Sequence, residues 1–448
     1  MRRLLLLVLL ASAAAAQPPD GLAGRWSGAA IYDGTTPRLF DLEFAVDGDR
    51  LETVLTMTYN GHERFGYDFT FAAEGPLDGV LTSGLFGEMR LLVDLDEGTL
   101  RGTVTADDGA ASPVFLQRIL DYDLPAYTLA EVSFVAGADT LAGALVLPDA
   151  PPPYPAAVIV PGRGFGQTRG AGAAWGTILA RNGIAALVFD ARGTGASTGD
   201  DSLTTGAQRV EDLSAALDLL RARPEIRPDA VGVLSNSAGG WVTPLALAGR
   251  DDVAFWVSLV GPAESLADQQ GHTTTGLMRR SDQTFSQADY QAAFDFQSAL
   301  VRLAWRDAPW TEMELLVAEA RDQPWAEFAL LPEGPDDADL RYYRLHAAYE
   351  TDVALARITA PTYAVYASDD FIVEPSENIP KLRAAFAEAG NEDLTVVLLE
   401  GANHSLGRTG AVVGEGDWPQ RWTRLWTRPP ELYTGVVARV RETVGLAD

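Results

Sequence analysis

The sequence predicts an α/β chain in which a parallel sheet carries an inserted helical cap and follows a small antiparallel β domain. Short segments of alternating apolar and polar residues, separated by turn pairs such as Asp47-Gly48, fill residues 20–120. This pattern is typical of antiparallel barrels and sandwiches. Beyond residue 129, continuous apolar runs alternate with long helical segments. That alternation is typical of parallel strands covered on both faces.

In the β domain, residues 20–120, the pattern predicts strands over 39–44, 51–59, 67–71, 89–95 and 100–105. The opening segment 24–28 (GRWSG) resembles the first strand of lipocalin-like barrels. We interpret Trp26 as a plug at the end of a β core, because a large amphipathic ring closes such a core well.

In the α/β domain, residues 129–262 and 359–448, the first two predicted strands flank a turn at Ala138-Asp139. The predicted strands are 131–136, 141–147, 156–160, 184–189, 230–234, 253–260, 362–366 and 394–399. The predicted helices are 173–182, 206–223, 238–249 and 376–389. Residues 263–358 have helical periodicity, many aromatics and too great a length for one crossover, so we interpret them as a cap over the sheet.

Composition excludes several classes of function. The chain has 448 residues and a formal net charge of −28, which argues against a nucleic-acid or anionic-lipid partner. It has no cysteine, so disulfides, thiolate nucleophiles and cysteine-ligated metals are excluded. No motif indicates a cofactor or a metal site. The oligomeric state is not encoded in any pattern.

The first residues are typical of an export signal. Arg2 and Arg3 precede an apolar run over 4–10, and small residues follow as far as Ala16. The apolar stretch is shorter than the roughly 20 residues that span a bilayer. We therefore expect a signal peptide over 1–16, cleavage near Ala16, and a periplasmic or secreted protein.

Ser237 is the candidate nucleophile. The strand 230–234 is followed by Ser235-Asn236-Ser237-Ala238-Gly239 and then by an apolar helix. A serine on a tight strand-to-helix turn needs small residues two positions before and after it, and Ser235 and Gly239 meet that need. A serine hydroxyl is a weak nucleophile, so it also needs a base and an orienting acid.

His404 is the candidate base. It is the only one of four histidines that follows a late strand, 394–399. The acid is expected after the preceding strand, 362–366, where Asp370 is preferred and Asp369 and Glu374 stay possible.

Two backbone N–H groups are candidates for an oxyanion hole. Ala238 follows the nucleophile directly, and Arg163 lies in the glycine-rich loop 161–166 after the strand 156–160. A dinucleotide site in this loop is disfavoured, because Gly162 and Gly164 are followed by Gln167 where the third glycine is needed.

From about residue 131 to its end, the chain resembles the α/β-hydrolase family. It is similar to exported bacterial serine hydrolases of the S33 aminopeptidase and acyl-CoA thioesterase-like branch, which often carry an N-terminal β domain. The matching segments are 143–148 (GALVLP), 160–164 (VPGRG), 189–197 (FDARGTGAS), 237–242 (SAGGWV), 360–361 (AP) with the Asp370 loop, and 403–404 (NH). The resemblance implies an α/β-hydrolase sheet with Ser237, Asp370 and His404 as the triad.

The resemblance also implies that Asp190 and Arg192 form a structural pair beside the site. Two residues depart from the family pattern: Pro161 stands where histidine is common, and Ser235 stands where the first elbow glycine is usual. Both departures bear on the oxyanion geometry rather than on the triad.

The expected function is a carboxylic-ester hydrolase that works through an acyl-enzyme intermediate on a small-molecule substrate. Neutral or cationic esters suit the acidic surface, and a polyanionic acyl-CoA does not. An exopeptidase acting on short peptides is the alternative, and it needs a cap carboxylate such as Glu312, Glu314 or Glu319 to hold a free amine. A non-catalytic binding protein is the contrasting class.

Overall fold

The computed structural model describes residues 21–446, apart from 33–35, 48–49, 58–60, 64–67, 71–76, 84–86, 97–98, 106–108, 120–126, 164–168, 347–350 and 408–429. The expected signal peptide, 1–16, lies outside the described residues. The chain forms two compact units, the β domain and the α/β domain, and the α/β domain as observed includes the cap region 263–358. Among the helices described, none has both the length and the apolar character that crossing a membrane requires.

In the β domain, the described residues form a nine-stranded sheet in the order β4-β3-β2-β1-β9-β8-β7-β6-β5. The strands are β1 Gly24–Tyr32, β2 Thr36–Asp47, β3 Arg50–Met57, β4 Gly61–Glu63, β5 Asp68–Thr70, β6 Leu77–Ser83, β7 Gly87–Asp96, β8 Thr99–Thr105 and β9 Ala111–Ile119. β1 pairs antiparallel with both β2 and β9, so the meander curls back on its first strand as in a barrel.

Trp26 lies in the core of this domain, as the sequence predicted. Its side chain is fully buried, and Nε1 donates a hydrogen bond of 2.8 Å to the carbonyl oxygen of Leu22. The sequence pattern missed β4, β6 and β9. β4 has only three residues, and glycine and proline in β6 and β9, as at Gly79 and Pro113, interrupt the alternation on which the prediction rested.

The α/β domain is built on an eight-stranded sheet, within the described residues, in the order β10-β11-β13-β12-β14-β15-β16-β17. The strands are β10 Tyr127–Ala136, β11 Asp139–Pro148, β12 Tyr154–Val160, β13 Ala185–Phe189, β14 Ile226–Asn236, β15 Trp256–Leu259, β16 Thr362–Ala367 and β17 Leu394–Leu399. β10 and β11 form an antiparallel hairpin at one edge, and the strands from β13 to β17 are parallel.

The helices are α1 Arg169–Arg181, α2 Gly206–Arg221, α3 Gly239–Leu247, α4 Leu266–Arg280, α5 Gln287–Trp305, α6 Trp310–Ala320, α7 Ala338–Leu345, α8 Asp352–Leu355, α9 Pro375–Ala389 and α10 Pro430–Thr443. Short 3₁₀ turns occur at Asp201–Leu203 and Ala326–Phe328. Helices α4 to α8 lie between β15 and β16 along the chain, and α4 to α7 form the cap. The fold is therefore the predicted sheet with an inserted helical cap.

All seven residues of β12 are buried, because the sheet is covered on both faces. Ala156 and Val158 pack in one apolar core, and Ala157 and Ile159 pack in the other. Parallel strands end at one edge of such a sheet, and the loops that leave β12, β14, β16 and β17 there supply the residues described below.

The sequence misplaced one turn and missed one helix. The β10–β11 turn consists of Gly137 and Ala138, and Asp139 already belongs to β11. Gly137 has a φ of 59°, which only glycine adopts readily, so it takes the turn position. The helix α10 was not among the predicted elements, although its Leu432, Val436 and Val440 are buried at helical spacing.

Candidate active site

Ser237 lies in a tight turn between β14 and α3. Its φ is 49°, in the left-handed region that residues with a side chain rarely adopt. Its backbone N–H donates to Leu259 O at 2.9 Å. A Cβ added to Gly239 would lie 3.1 Å from Val160 O and 3.1 Å from Ser235 Cβ, so a small residue is required there. This is the geometry of a nucleophile elbow.

Ser235 has a structural reason to stand where the elbow motif usually has glycine. Its side chain is buried, and its Oγ accepts a hydrogen bond of 2.9 Å from Trp256 Nε1. The hydroxyl thus satisfies an indole N–H inside the core, which would otherwise lose its hydrogen bond to water on folding. The departure from the family pattern leaves the sharp turn at Ser237 intact.

A hydrogen-bonded chain of three side chains begins at Ser237. Its Oγ lies 2.8 Å from His404 Nε2, and His404 Nδ1 lies 2.7 Å from Asp370 Oδ2. Because the carboxylate accepts, Nδ1 carries a proton and Nε2 is left to accept the serine hydroxyl proton. The structure therefore brings together the three predicted residues, which come from three different loops.

Asp370 is the acid that faces His404. Its side chain is fully buried, and its Oδ1 accepts hydrogen bonds of 2.9 Å from the N–H groups of Ile372 and Val373. Asp369 and Glu374 instead accept hydrogen bonds from neighbouring serine hydroxyls. Two backbone donors therefore hold the Asp370 carboxylate in the orientation that meets the imidazole.

The two candidate oxyanion donors lie beside Ser237. Ala238 follows it directly, and Arg163 lies in the loop after β12. A Cβ added to Gly162 would lie 2.9 Å from Ser237 Cβ, so this loop passes against the nucleophile. Neither the Ala238 nor the Arg163 backbone N–H donates to another described residue. As far as the described residues are concerned, both groups are available to an oxygen atom bound at this place.

A cavity of about 300 Å³ lies against Ser237 and His404. Its other polar lining residues are Arg163, Gln269, Gln270 and Tyr342, and its apolar ones are Ala238, Trp241, Pro262, Leu266, Ile372 and Val373. None of these described lining residues is acidic. Glu312, Glu314 and Glu319, the candidate cap carboxylates, are exposed on α6 and do not line the cavity.

The Arg163 side chain reaches from the loop after β12 to the cap. Its guanidinium carbon lies 3.8 Å from the ring centroid of Tyr342, and its Nη2 lies 2.5 Å from Asp339 Oδ1. Both partners belong to α7, so cation–π stacking and an ion pair join this loop to the cap. The sequence predicted that the Arg163 backbone lies at the site. No sequence pattern predicted that its side chain contacts Asp339 and Tyr342, which are more than 170 residues away along the chain.

Comparison with known proteins identifies the family. The family model described as serine aminopeptidase, S33, matches residues 153–408, which is more than half of the chain. The chain belongs to this family of α/β hydrolases. A search of curated proteins found no significant match.

Three solved structures are similar to part of this chain at low identity and low TM-score. The 2,6-dihydroxy-pseudo-oxynicotine hydrolase is 21% identical, with a TM-score of 0.40, and the match covers 63% of this chain and 63% of that one. A Pyrococcus furiosus esterase is 15% identical, with a TM-score of 0.40 and coverage of 70% and 91%. Proline iminopeptidase from Mycobacterium smegmatis is 13% identical, with a TM-score of 0.42 and coverage of 71% and 100%. Identities this low do not carry a substrate from one protein to another.

The pairing of Asp190 with Arg192, which the S33 resemblance implied, is wrong. Asp190 Oδ2 lies 3.0 Å from Arg169 Nη2, whereas Arg192 is buried against other acids. The ion-pair partners of Arg192 are Asp139, Glu211 and Asp212. The two residues contact different elements, because Arg169 begins α1 whereas Glu211 and Asp212 lie on α2. Burial raises the pKa of Asp212 to about 6, although Arg192 opposes that shift.

A buried polar cluster that no sequence pattern predicted lies where the cap begins. Glu264, fully buried before α4, accepts hydrogen bonds from Lys381 Nζ at 2.7 Å, His272 Nδ1 at 2.9 Å and Asn378 Nδ2 at 3.2 Å. Lys381 and Asn378 belong to α9, so the cluster joins the start of the cap to the helix after the acid loop. Lys381 is the single lysine of the sequence, which is the only signal that could have drawn attention to it.

Proposed function

We propose that this S33 family member hydrolyses carboxylic esters through an acyl-enzyme intermediate, with Ser237 as nucleophile, His404 as base and Asp370 as the orienting acid. The observation that carries the proposal is the hydrogen-bonded chain from Asp370 through His404 to Ser237 at the cavity wall. The residues follow in the order nucleophile, acid, base, as this fold requires.

In the first half-reaction, His404 Nε2 takes the Ser237 hydroxyl proton while Ser237 Oγ attacks the ester carbonyl. Asp370 keeps Nε2 turned toward the serine and stabilises the imidazolium. The tetrahedral intermediate then loses the alcohol, which receives the proton from His404. Water attacks the acyl group on Ser237 by the same route and releases the carboxylic acid, which restores the serine.

The backbone N–H groups of Ala238 and Arg163 support this chemistry. The carbonyl oxygen of the substrate becomes negatively charged in the tetrahedral intermediate, and donors already aimed at that place stabilise it without reorganisation. The close approach of Gly162 to Ser237 brings the Arg163 loop beside the nucleophile. The pair is the oxyanion hole of the proposed mechanism.

The lining of the cavity favours esters over peptides with a free amino terminus. An exopeptidase must hold a substrate ammonium group, and no described lining residue carries a carboxylate to do so. Asp339 is already paired with the lining residue Arg163, and Asp212, which lines an adjoining cavity, is paired with Arg192. A short-peptide exopeptidase is the second candidate, because the matching family model is described as a serine aminopeptidase.

Two measurements test the proposal. A fluorophosphonate probe should label the wild-type protein and fail to label Ser237→Ala, and equal labelling of both would remove Ser237 from its role. We then expect kcat/KM for short-chain aryl esters to exceed that for aminoacyl anilides by about 100-fold or more, given the missing amine partner. The reverse order would replace the esterase by the exopeptidase.

A further inference from the structure

Two glutamines of the cap, Gln269 and Gln270, occupy part of the cavity wall on α4. With Leu266 they are spaced three and four residues apart, so one face of α4 lies over the cavity. An amide group offers two donors and one acceptor oxygen with two lone pairs, so its partners reveal which of these groups are still available.

The orientation of both amides follows from a chain of hydrogen bonds. The carbonyl oxygen of Ile372 can only accept a hydrogen bond. The Gln269 side-chain atom that lies 2.6 Å from it is therefore the donor nitrogen Nε2. Gln269 Oε1 therefore faces Gln270 and accepts from Gln270 Nε2 at 2.6 Å. Gln270 Oε1 is then left for the Tyr343 hydroxyl, which donates to it at 3.0 Å. Gln269 Nε2 also donates to Thr273 Oγ1 at 2.9 Å, so both of its N–H groups are used.

The second N–H of Gln270 is different. Only one of its two donors is used, and no other described residue accepts from it. Tyr343 and Gln269 are buried and hold the Gln270 amide from both sides, so its orientation is set before any ligand arrives. An oriented donor on a mostly apolar wall discriminates between ligands with and without an acceptor.

We propose that Gln270 donates a hydrogen bond to the substrate, so that the enzyme prefers esters with a neutral acceptor oxygen, such as a ketone, ether or amide carbonyl, over alkyl esters of equal size. This inference rests on the proposed ester hydrolysis. The acceptor is neutral because the donor is an uncharged amide and the charge of Arg163, the one cation among the described lining residues, is paired with Asp339.

Matched aryl esters test the proposal. One series replaces successive chain methylenes of a 4-nitrophenyl hexanoate by a carbonyl or an ether oxygen, and a second series places the acceptor in the alcohol of a hexanoate ester. We expect kcat/KM of the wild type to be about tenfold higher for at least one acceptor-bearing ester than for its alkyl counterpart. In Gln270→Met, which has similar length and no donor, this ratio should fall to about one.

Gln270→Glu provides a second variant, since an ionised carboxylate cannot donate, and it should lose the preference as well. Gln291→Met makes the same substitution at an exposed position of α5 and should keep the wild-type ratio. A wild type without preference in either series overturns the proposal, as does a preference that survives in both Gln270 variants. Failure of ester hydrolysis itself is distinct, because the alkyl esters would then not be turned over and Ser237 would not be labelled.

Discussion

Two buried carboxylates of the α/β domain each hold a histidine, yet only one of these pairs lies at the cavity. Asp370 Oδ2 is 2.7 Å from His404 Nδ1, and Glu264 Oε2 is 2.9 Å from His272 Nδ1. Both carboxylate side chains have no exposed surface. By distance and burial alone, the two pairs are nearly equivalent.

The difference lies in the remaining partners. His404 Nε2 meets the Ser237 hydroxyl, whereas His272 Nε2 lies 3.8 Å from Glu377. Asp370 also accepts hydrogen bonds from two backbone N–H groups, whereas Glu264 also forms an ion pair with the Lys381 ammonium. In the proposed mechanism His404 is therefore the base, because its second ring nitrogen faces the Ser237 hydroxyl beside the cavity. The Glu264 pair instead joins the cap to α9.

The largest effect is expected at the hydroxyl that distinguishes the pairs. Ser237→Ala should lower kcat for aryl esters by about 10⁴-fold or more, since no nucleophile remains. Ser235→Ala is the matched control, two residues away. It should keep probe labelling and cost about 1–2 kcal/mol of unfolding free energy, because Trp256 Nε1 loses its acceptor. Steady-state kinetics and urea denaturation measure the two effects, and comparable loss of kcat in both variants would contradict the assignment.

The acid comes next. Asp370→Asn should lower kcat by about 10³- to 10⁴-fold, because the amide cannot stabilise the imidazolium and disfavours the required tautomer. Asp369→Asn, one residue earlier, should leave kcat within about twofold, as its carboxylate meets a serine rather than His404. If Asp369→Asn produced the larger loss, the acid role would move to that residue.

Glu264→Gln should separate stability from catalysis. We expect a loss of about 2 kcal/mol in unfolding free energy, because the half-exposed Lys381 ammonium loses its charged partner in a buried cluster. The kcat of the folded variant should change by less than about threefold. Chemical denaturation and active-site titration measure the two quantities on one sample, and a kcat loss like that of Asp370→Asn would give Glu264 a part in catalysis.

A third histidine, His346, sharpens the comparison, because its Nδ1 bonds to a backbone carbonyl in place of a carboxylate. His346 Nδ1 donates to Tyr342 O at 2.7 Å. Burial, with the positive charges of Arg209 and Arg163 adding to it, lowers the pKa of His346 to about 4. In the unfolded chain His346 is protonated below about pH 6.5. In the folded protein it stays neutral until the pH falls to about 4. Stability from this residue is therefore present above pH 6.5 and is lost as the pH falls.

His346→Phe should remove this loss. Between pH 7.5 and pH 5 the unfolding free energy of each protein falls. The fall should be about 2 kcal/mol smaller in the variant than in the wild type. Urea denaturation at both pH values measures it. A difference between the two proteins that does not vary with pH would contradict the effect.

Much of the candidate site was readable from local pattern. Small residues around Ser237, a continuous apolar strand before it and a helix after it identify the elbow, since backbone sterics act over neighbouring residues. His404 followed from strand order and from the scarcity of histidine. For the acid, the same pattern left Asp370, Asp369 and Glu374 open, because adjacent residues in a loop differ only in the direction of their side chains.

What the sequence determined by itself is what depends on neighbours along the chain: the strands of the α/β sheet, the turn at Ser237 and the order of the three candidate residues. Only the tertiary structure decided which partners lie across long separations. It paired Asp190 with Arg169 rather than with Arg192, joined Arg163 to α7, placed the Lys381 ammonium against buried Glu264 and oriented the Gln270 amide at the cavity wall. The physical reason is that the energy of a hydrogen bond or ion pair depends on the distance and direction between its two groups. The periodicity of apolar residues along the sequence does not specify that distance or direction for residues far apart in the chain.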